Sequence, residues 1–275
     1  VKTKAAKPRK PQSLILAPTR ELADQICKEL RAFSGKRIVS VVYGGVSYGP
    51  QRKALTKGVD ILVACPGRLE DLIEQGELTL EDVKQVVIDE ADRMADMGFM
   101  PAVKRILDQT SNDRQTILFS ATLDHDVAKL KKHYQRNPVT REIGEKTPDI
   151  KNADHTYAIA KKADKPQLVA KAVNSTWPAI IFCRTRHGAD RLVKQLKRLD
   201  IESEPIHGGK SQHQRKRALK NFSTGKVQAL VATDVAARGI HVDGVALVVH
   251  YDPPEDHKAY IHRSGRTARA GSQGV

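Results

Sequence analysis

A chain of 275 residues with 40% hydrophobic content has room for two domains of ordinary size, each with its own core, and has no unbroken apolar run long enough to cross a membrane. Lys and Arg outnumber Asp and Glu by 47 to 32, and the resulting +15 favours a polyanionic partner; most of the excess follows Gly144, with 24 basic and 19 acidic side chains in residues 1–143 against 23 and 13 afterwards. Aromatic residues make up only 4%, too few for a row of base-stacking platforms, so a nucleic acid would be held by its phosphates and sugars.

In chain order, Ser13 to Ala17 reads as a strand, and Pro18-Thr19 opens a helix with Ala23, Ile26, Leu30 and Phe33 on one apolar face. Thr19 is the expected N-cap. A strand that hands over to a helix with Thr and Arg at its start presents backbone N–H groups and a cation, a phosphate-binding arrangement as well as an ordinary cap. Val39 to Tyr43 is the next strand and ends in Gly44-Gly45, where backbone can approach a ligand or turn. A helix from Gln51 to Lys57, a strand from Asp60 to Ala64 ending in Cys65-Pro66-Gly67-Arg68, and a helix from Leu69 to Gln75 follow.

The apolar run Val86-Val87-Ile88 then stops at Asp89-Glu90. Two carboxylates at a strand's carboxyl end form a candidate Mg²⁺-nucleotide site: one holds the cation directly or through water, and its neighbour orients or deprotonates an attacking water. Arg114 to Phe119 predicts another strand, ending in Ser120-Ala121-Thr122, with a helix from His125 to Gln135 and a last strand from Val139 to Ile143. Residues 144–152 have Gly, Pro and charge without apolar periodicity and read as a linker between residues 1–143 and 153–275.

The second part repeats the alternation, with strands at His155–Ala160, Ala179–Cys183, Ser203–Ile206, Gln228–Ala232 and Ala246–His250 and helices around Leu168–Val173, Ala189–Leu199 and Arg215–Phe222. Alternation of this kind predicts an α/β class with a mostly parallel sheet and helices on both faces in each part, and a cleft between them. His262 to Arg269 packs three arginines and a histidine into eight residues. If that stretch is helical, Arg266 and Arg269 share a face and can clamp charge developing on a transferring phosphoryl group. Cys27, Cys65 and Cys183 are far apart without metal-ligand spacing, and the basic start has no secretory pattern, so reduced thiols and a cytoplasmic location are expected.

The ordered set Pro18-Thr19-Arg20-Glu21-Leu22-Ala23, Gly44-Gly45, Pro66-Gly67-Arg68, Asp89-Glu90-Ala91-Asp92, Ser120-Ala121-Thr122, Ala232-Thr233-Asp234, Ala237-Arg238-Gly239 and His262 to Arg269 resembles the DEAD-box ATP-dependent RNA helicases over essentially the whole chain. The resemblance implies two tandem RecA-like domains that close on ATP, Mg²⁺ and single-stranded or short duplex RNA, in a core that works as a monomer. It implies that Asp89 organises Mg²⁺ and Glu90 positions the water, making both metal-site residues, and that Arg266 and Arg269 are arginine fingers. Asp92, Ser120, Thr122 and His262 would couple the nucleotide to closure, and Asp234 would meet the ribose. RNA contacts would fall to Thr19, Arg20, Gly45 and Arg68 in the first domain and to Thr185, Gly208, Arg215, Thr233 and Arg238 in the second.

Departures accompany the match. The family's Gly-Lys-Thr phosphate loop and adenine-reading glutamine precede the Pro-Thr-Arg motif, and no Gly in Val1 to Gln12 could build such a loop. Both sheets are therefore expected to be incomplete at the chain ends, with this stretch alone inactive toward ATP. Cys65 stands where the family usually has Thr, and Ala268 where it commonly has Gly. The alternative in another class is an ATPase-inactive RNA-binding or scaffold protein; a related duplex-DNA translocase fits the Asp-Glu-Ala-Asp and Ser-Ala-Thr forms less well.

Overall fold

A computed structural model describes residues 5–142, 154–237 and 244–267, apart from the side chains of two helical residues, 235 and 258. The chain divides into two compact units, Val1–Lys146 and Thr147–Val275. The expected linker, 144–152, lies outside the described residues.

In the first unit, strands β1 (Ser13–Leu16), β2 (Val39–Val42), β3 (Ile61–Ala64), β4 (Gln85–Ile88) and β5 (Gln115–Leu118) form one sheet in the order β2-β3-β1-β4-β5. All pairings are parallel, with Leu14 opposite Leu62 and Val86. Between the strands run α1 (Arg20–Phe33), α2 (Tyr48–Lys57), α3 (Pro66–Glu74), α4 (Ala91–Asp96) and α5 (Met100–Asp108), and α6 (His125–Tyr134) follows β5. The central strands β1 and β3 are short apolar runs covered on both faces, as parallel crossovers require, while the edge strand β5 stays partly exposed. Leu14, Leu16, Leu62 and Ile88 belong to the larger core, while Ile15, Ala17 and Val63 face a smaller one under α1.

The second unit has strands β6 (Ala179–Phe182), β7 (Ser203–Ile206), β8 (Ala229–Ala232) and β9 (Leu247–His250), all parallel in the order β7-β8-β6-β9. Its helices are α7 (Lys165–Ser175), α8 (Arg186–Lys197), α9 (Gln212–Ser223), α10 (Asp234–Ala237) and α11 (His257–Ser264). Alternate residues of β6 feed opposite cores, Ala179 and Ile181 packing with α7 and α8, and Ile180 and Phe182 with α9. The α/β class and the parallel sheets follow the sequence expectation.

Four local expectations are corrected. Residues 139–142 form no strand: Val-Thr-Arg-Glu offers a single large apolar side chain, and Val139 is 79% exposed; Ile143 lies outside the described residues. Residues 155–160 are likewise irregular, with Tyr157 and Ile159 exposed rather than buried. Phe33 ends α1 in solvent, and Leu22 and Cys27 take its place on the buried face. The last helix, α11, stops at Ser264 with Gly265 as its C-cap. Arg266 is therefore past the helix, and Arg269 lies outside the described residues.

Asp60 ties the bottom of the first sheet together. It is buried, and its two oxygens each accept a backbone N–H at 2.7 Å, from Ala6 and from Ile38. Charge-assisted bonds of this kind are among the stronger local contributions. Asp60→Ala is expected to lower the stability of the first unit by about 2–3 kcal/mol, and Asp60→Asn by roughly half as much because one acceptor survives. Urea unfolding followed by circular dichroism checks this, and equal midpoints would show that water replaces the carboxylate.

Candidate nucleotide and RNA sites

Because every strand within a sheet runs the same way, every strand exit within that unit lies on one edge. In the first unit this edge carries Thr19 after β1, Gly44-Gly45 after β2, Cys65 to Arg68 after β3, Asp89-Glu90 after β4 and Ser120 to Thr122 after β5. The strand order then sorts them: the β2-β3-β1 side gathers Thr19, Arg20, Gly45 and Arg68, and the β4-β5 side gathers the acids and hydroxyls.

On the first side, Thr19 caps α1, its hydroxyl accepting the Leu22 N–H at 3.3 Å. Arg20 lies against Gly45, where an added Cβ would stand 2.1 Å from Nη1 and where φ is +76°. Only glycine allows both the backbone turn and this approach. Arg68 is a pin rather than a surface cation: it is buried, both Nη atoms donate to the Val46 carbonyl at 3.2 and 3.1 Å, and its guanidinium sits 3.7 Å from the Tyr48 ring centre. It shapes the loop that ends at α2. Cys65, the N-cap of α3, makes no side-chain capping bond, and burial pushes its thiol up to about 12.

On the second side, Asp89 Oδ1 accepts the Glu90 N–H at 3.0 Å, and the Glu90 carboxylate pairs with the buried Arg93. Glu90 sits in the left-handed region at φ 50°, ψ 53°, an uncommon conformation for a non-glycine residue and frequent at functional turns. Asp92 donates its N–H to Ser120 Oγ at 3.1 Å, and Ser120 Oγ donates to the Thr122 carbonyl at 2.7 Å, so three of the four coupling residues are brought together. Thr122 Oγ1 is buried without a hydrogen-bond partner among the described residues. No cluster of three or more His, Cys, Asp or Glu side chains converges among the described residues, so a cation at Asp89 would draw most ligands from water and phosphate oxygens.

The second unit repeats the first side of this plan. Thr185 caps α8 and accepts the Gly188 N–H at 3.0 Å, and Arg186 lies against Gly208, an added Cβ there standing 3.2 Å from Nη2. Sequence reasoning missed Arg186; its signal was the same strand-Thr-Arg order that marked Arg20. Arg215, on α9, and Thr233 are both buried. Asp234, His262 and Arg266 line one shallow recess with Phe182 and Arg263. Arg238 and Arg269 lie outside the described residues.

Arg263 was also missed, hidden within the basic run. It is 2% exposed, and Nε and Nη2 donate to the two oxygens of Asp234 at 2.6 Å each while Nη1 donates to the Asp252 carbonyl at 2.7 Å. Behind it, His250 stacks on Tyr260 with ring centres 4.9 Å apart and shares a hydrogen bond with Ser264 Oγ at 3.2 Å. Burial, helped by the Arg263 charge, pushes the His250 imidazole down to about 4.

Two described family patterns match the chain: DEAD/DEAH box helicase over residues 2–130 and helicase conserved C-terminal domain over residues 161–271. A Zea mays protein described as DEAD-box ATP-dependent RNA helicase 3A, chloroplastic, is 44% identical over 264 residues, covering 94% of this chain and 35% of that protein. The chain thus spans about a third of the length of the curated relatives it matches. Among solved structures, Saccharomyces cerevisiae Dbp5 bound to RNA and ADP BeF3 is 29% identical with a TM-score of 0.79, covering 98% of this chain and 71% of that one. A DEAD box protein from the hyperthermophile Methanococcus jannaschii is 33% identical with a TM-score of 0.50, covering 98% and 74%.

Two outcomes follow for the second unit, whose unfolding the chain's sole tryptophan, Trp177, reports by fluorescence. Arg263→Met is expected to lower its stability by about 3 kcal/mol, because a desolvated carboxylate loses its partner; a loss below about 1 kcal/mol would place the pair among weak surface bridges. The His250 imidazole is depressed from 6.5 to about 4, so the unfolded chain binds its proton first as pH falls. Stability from this group is complete above pH 6.5 and declines between 6.5 and 4. His250→Phe should flatten that part of the profile, and an unchanged slope would assign it to other groups.

Proposed function

The chain belongs to the DEAD/DEAH-box helicase family, and from that premise we propose that the protein is an ATP-dependent RNA helicase that remodels short duplexes or RNA–protein complexes by closing two units on single-stranded RNA. The observation that carries this reading is the sorting along the first unit's strand-exit edge. Phosphate-binding elements, Thr19 and Arg20 against Gly45, stand on one side, and the Asp89-Glu90 pair with Ser120 and Thr122 stands on the other. RNA and nucleotide can thus be held at once by one rigid edge. Dbp5, the relative bound to RNA and ADP BeF3, supports both ligands.

In this reading Asp89 would hold Mg²⁺ directly or through water, and the cation would supply neutralisation of the phosphate charge of ATP. Glu90, set in a left-handed turn and paired with Arg93, orients the attacking water. The turn Asp92-Ser120-Thr122 is the link through which that event reaches RNA, with His262 as its counterpart in the second unit. Arg266 offers a guanidinium for phosphate charge, and the same role is proposed for Arg269. Asp234, already held by Arg263, meets the ribose through an oriented carboxylate edge. RNA is read by its backbone at Thr19, Arg20, Gly45, Thr185, Gly208 and Thr233, with Arg68, Arg215 and Arg238 shaping or extending the surface. The core works as a monomer. Three free thiols support a reducing compartment such as the cytoplasm.

Glu90→Gln in the full-length protein is expected to lower RNA-stimulated ATP turnover by about 100-fold or more while leaving RNA affinity within about three-fold, because the change removes a proton acceptor without altering the RNA side of the edge. A steady-state ATPase assay with RNA and DNA as alternative activators measures this. Normal turnover in the variant, or equal activation by DNA, would overturn the reading.

A further inference from the structure

The strand-exit loops leave one large basic feature of the second unit without a role. Along α8 and its C-cap, His187, Arg191, Lys194 and Arg198 follow one another at spacings of four, three and four residues, and all are exposed. At 100° per residue the four fall within an arc of about 60°. Their arc is opposite the buried residues Ala189, Leu192 and Leu196. None of the four side chains has an ion pair or hydrogen bond among the described residues.

We propose that this ridge is a second RNA-phosphate track, continuous with the strand-exit site, which holds RNA flanking the segment gripped at Thr185 and Gly208. The inference rests on the RNA reading of that site and extends it.

Three observations favour a polyanion over a merely solvated face. First, the ridge starts where the proposed RNA site ends, since Arg186 opens α8 and already lies against Gly208. From there the cations run about 16 Å along the helix, enough for a few phosphates. Second, the sole acid of α8, Asp190, stands about 40° from Lys194 around the helix, but its carboxylate is engaged by residues outside α8. Lys210 Nζ lies 2.8 Å from its Oδ1, and His207 Nε2 lies 3.2 Å away, out of line for a hydrogen bond. Burial alone would raise the Asp190 carboxyl, but these two cationic or polar neighbours hold it below its usual value, so it remains a charge already answered.

Third, the helix dipole accounts for only part of the pattern. Lys194 and Lys197 in the last turn complement the dipole, whereas Arg191 lies outside the last turn, where the dipole gives a cation no such support, and the first turn has no acid. The corresponding helix of the first unit, α1, follows the usual rule: Glu21 stands in its first turn, and Asp24 and Glu29 interrupt its basic residues. The ridge therefore belongs to the unit that carries most of the chain's positive excess.

The test compares the full-length protein with its R191Q/K194Q/R198Q variant. Gln keeps helix propensity and much of the side-chain stem, so the fold is not at stake. Anisotropy titrations would use single-stranded RNAs of about 6 and about 20 nucleotides, at KCl from about 50 to about 300 mM, without nucleotide. The variant is expected to lose about two units of salt slope on the longer RNA, from three lost contacts at roughly 0.7 each, and to bind it about ten-fold or more weakly at low salt. Its binding of the short RNA should match the wild type, which also serves as the control for folding. Equal slopes and affinities on the longer RNA would overturn the track and leave the ridge to an acidic protein or to solvent. Absence of salt-dependent RNA binding by the wild type would overturn the RNA reading itself, and the track with it.

Discussion

Parallel strand pairing is the constraint on which each unit depends. A parallel ladder cannot be closed by a tight turn, so each strand is followed by a crossover, and helices cover both faces of the sheet. The strands can then be short and wholly apolar: β6 and β8 are buried along their full length. Polar side chains have only the edges to occupy. Since all strands of a sheet point the same way, their exits share one edge, and the helices that follow aim their first N–H groups there. Thr19, Ser47, Thr185 and Ser211 each cap such a helix through a side-chain oxygen, which leaves the remaining N–H groups and the nearby cations for a ligand. The site is thus a consequence of topology before it is a consequence of any single motif.

The same topology, used twice, explains which parts of the units correspond and which diverge. In β2-β3-β1 and in β7-β8-β6 an arginine that follows the innermost of the three strands reaches across its neighbour to a Gly-Gly turn beyond the outer strand. An equivalent backbone grip is therefore available in both units. On the other side they part. Strand β4 ends in two carboxylates, with the Ser120 hydroxyl from the neighbouring β5 exit bonded to the turn that follows. Strand β9 ends in Tyr251-Asp252, and Asp252 is occupied internally, accepting the Arg184 N–H at its carboxylate and Arg263 at its carbonyl. The adjacent carboxylate pair at a strand exit thus occurs in the first unit, whereas in the second the acids at the corresponding edge, Asp234 and Asp252, are both held through Arg263.

Most of this plan was legible because an uninterrupted apolar run that stops at polar residues is a strong local signal. β1, β3, β4, β6 and β8 fall where Ser13, Ile61, Val86, Ala179 and Ala229 begin such runs. The signal fails where few apolar residues are available to bury, as at 139–142, or where apolar residues have no covering partner, as at Tyr157 and Ile159. Short α4, α10 and α11 were not legible either. Each is too short to show a periodic apolar face, and α4 is fixed instead by a tertiary bond from the Ala91 N–H to the Phe119 carbonyl. Within the candidate site, Thr19, Asp92 and Ser120 could be read from motif order, and Arg186 carried the same strand-Thr-Arg signal as Arg20, whereas Arg263 could not be read, because nothing in a basic run distinguishes its members.

What distinguishes them is desolvation. Arg68, Arg93 and Arg263 are buried, and each spends its guanidinium on carbonyls, carboxylates or rings of its own unit. A planar fork with several fixed donors can satisfy such a pocket, and a lysine point charge could not. These arginines hold loops and the Asp234 carboxylate in place, and removing one leaves a buried charge or dipole behind. Arg191, Lys194 and Arg198 stand at the other extreme: fully hydrated, without partners among the described residues, and contributing little to the fold they sit on. A hydrated cation is inexpensive to keep but also binds weakly by itself, and its attraction to a polyanion grows only with the number of phosphates engaged and falls with salt. Buried arginines therefore set the geometry of the strand-exit edge, and on the proposed reading exposed ones lengthen its reach along RNA without altering it.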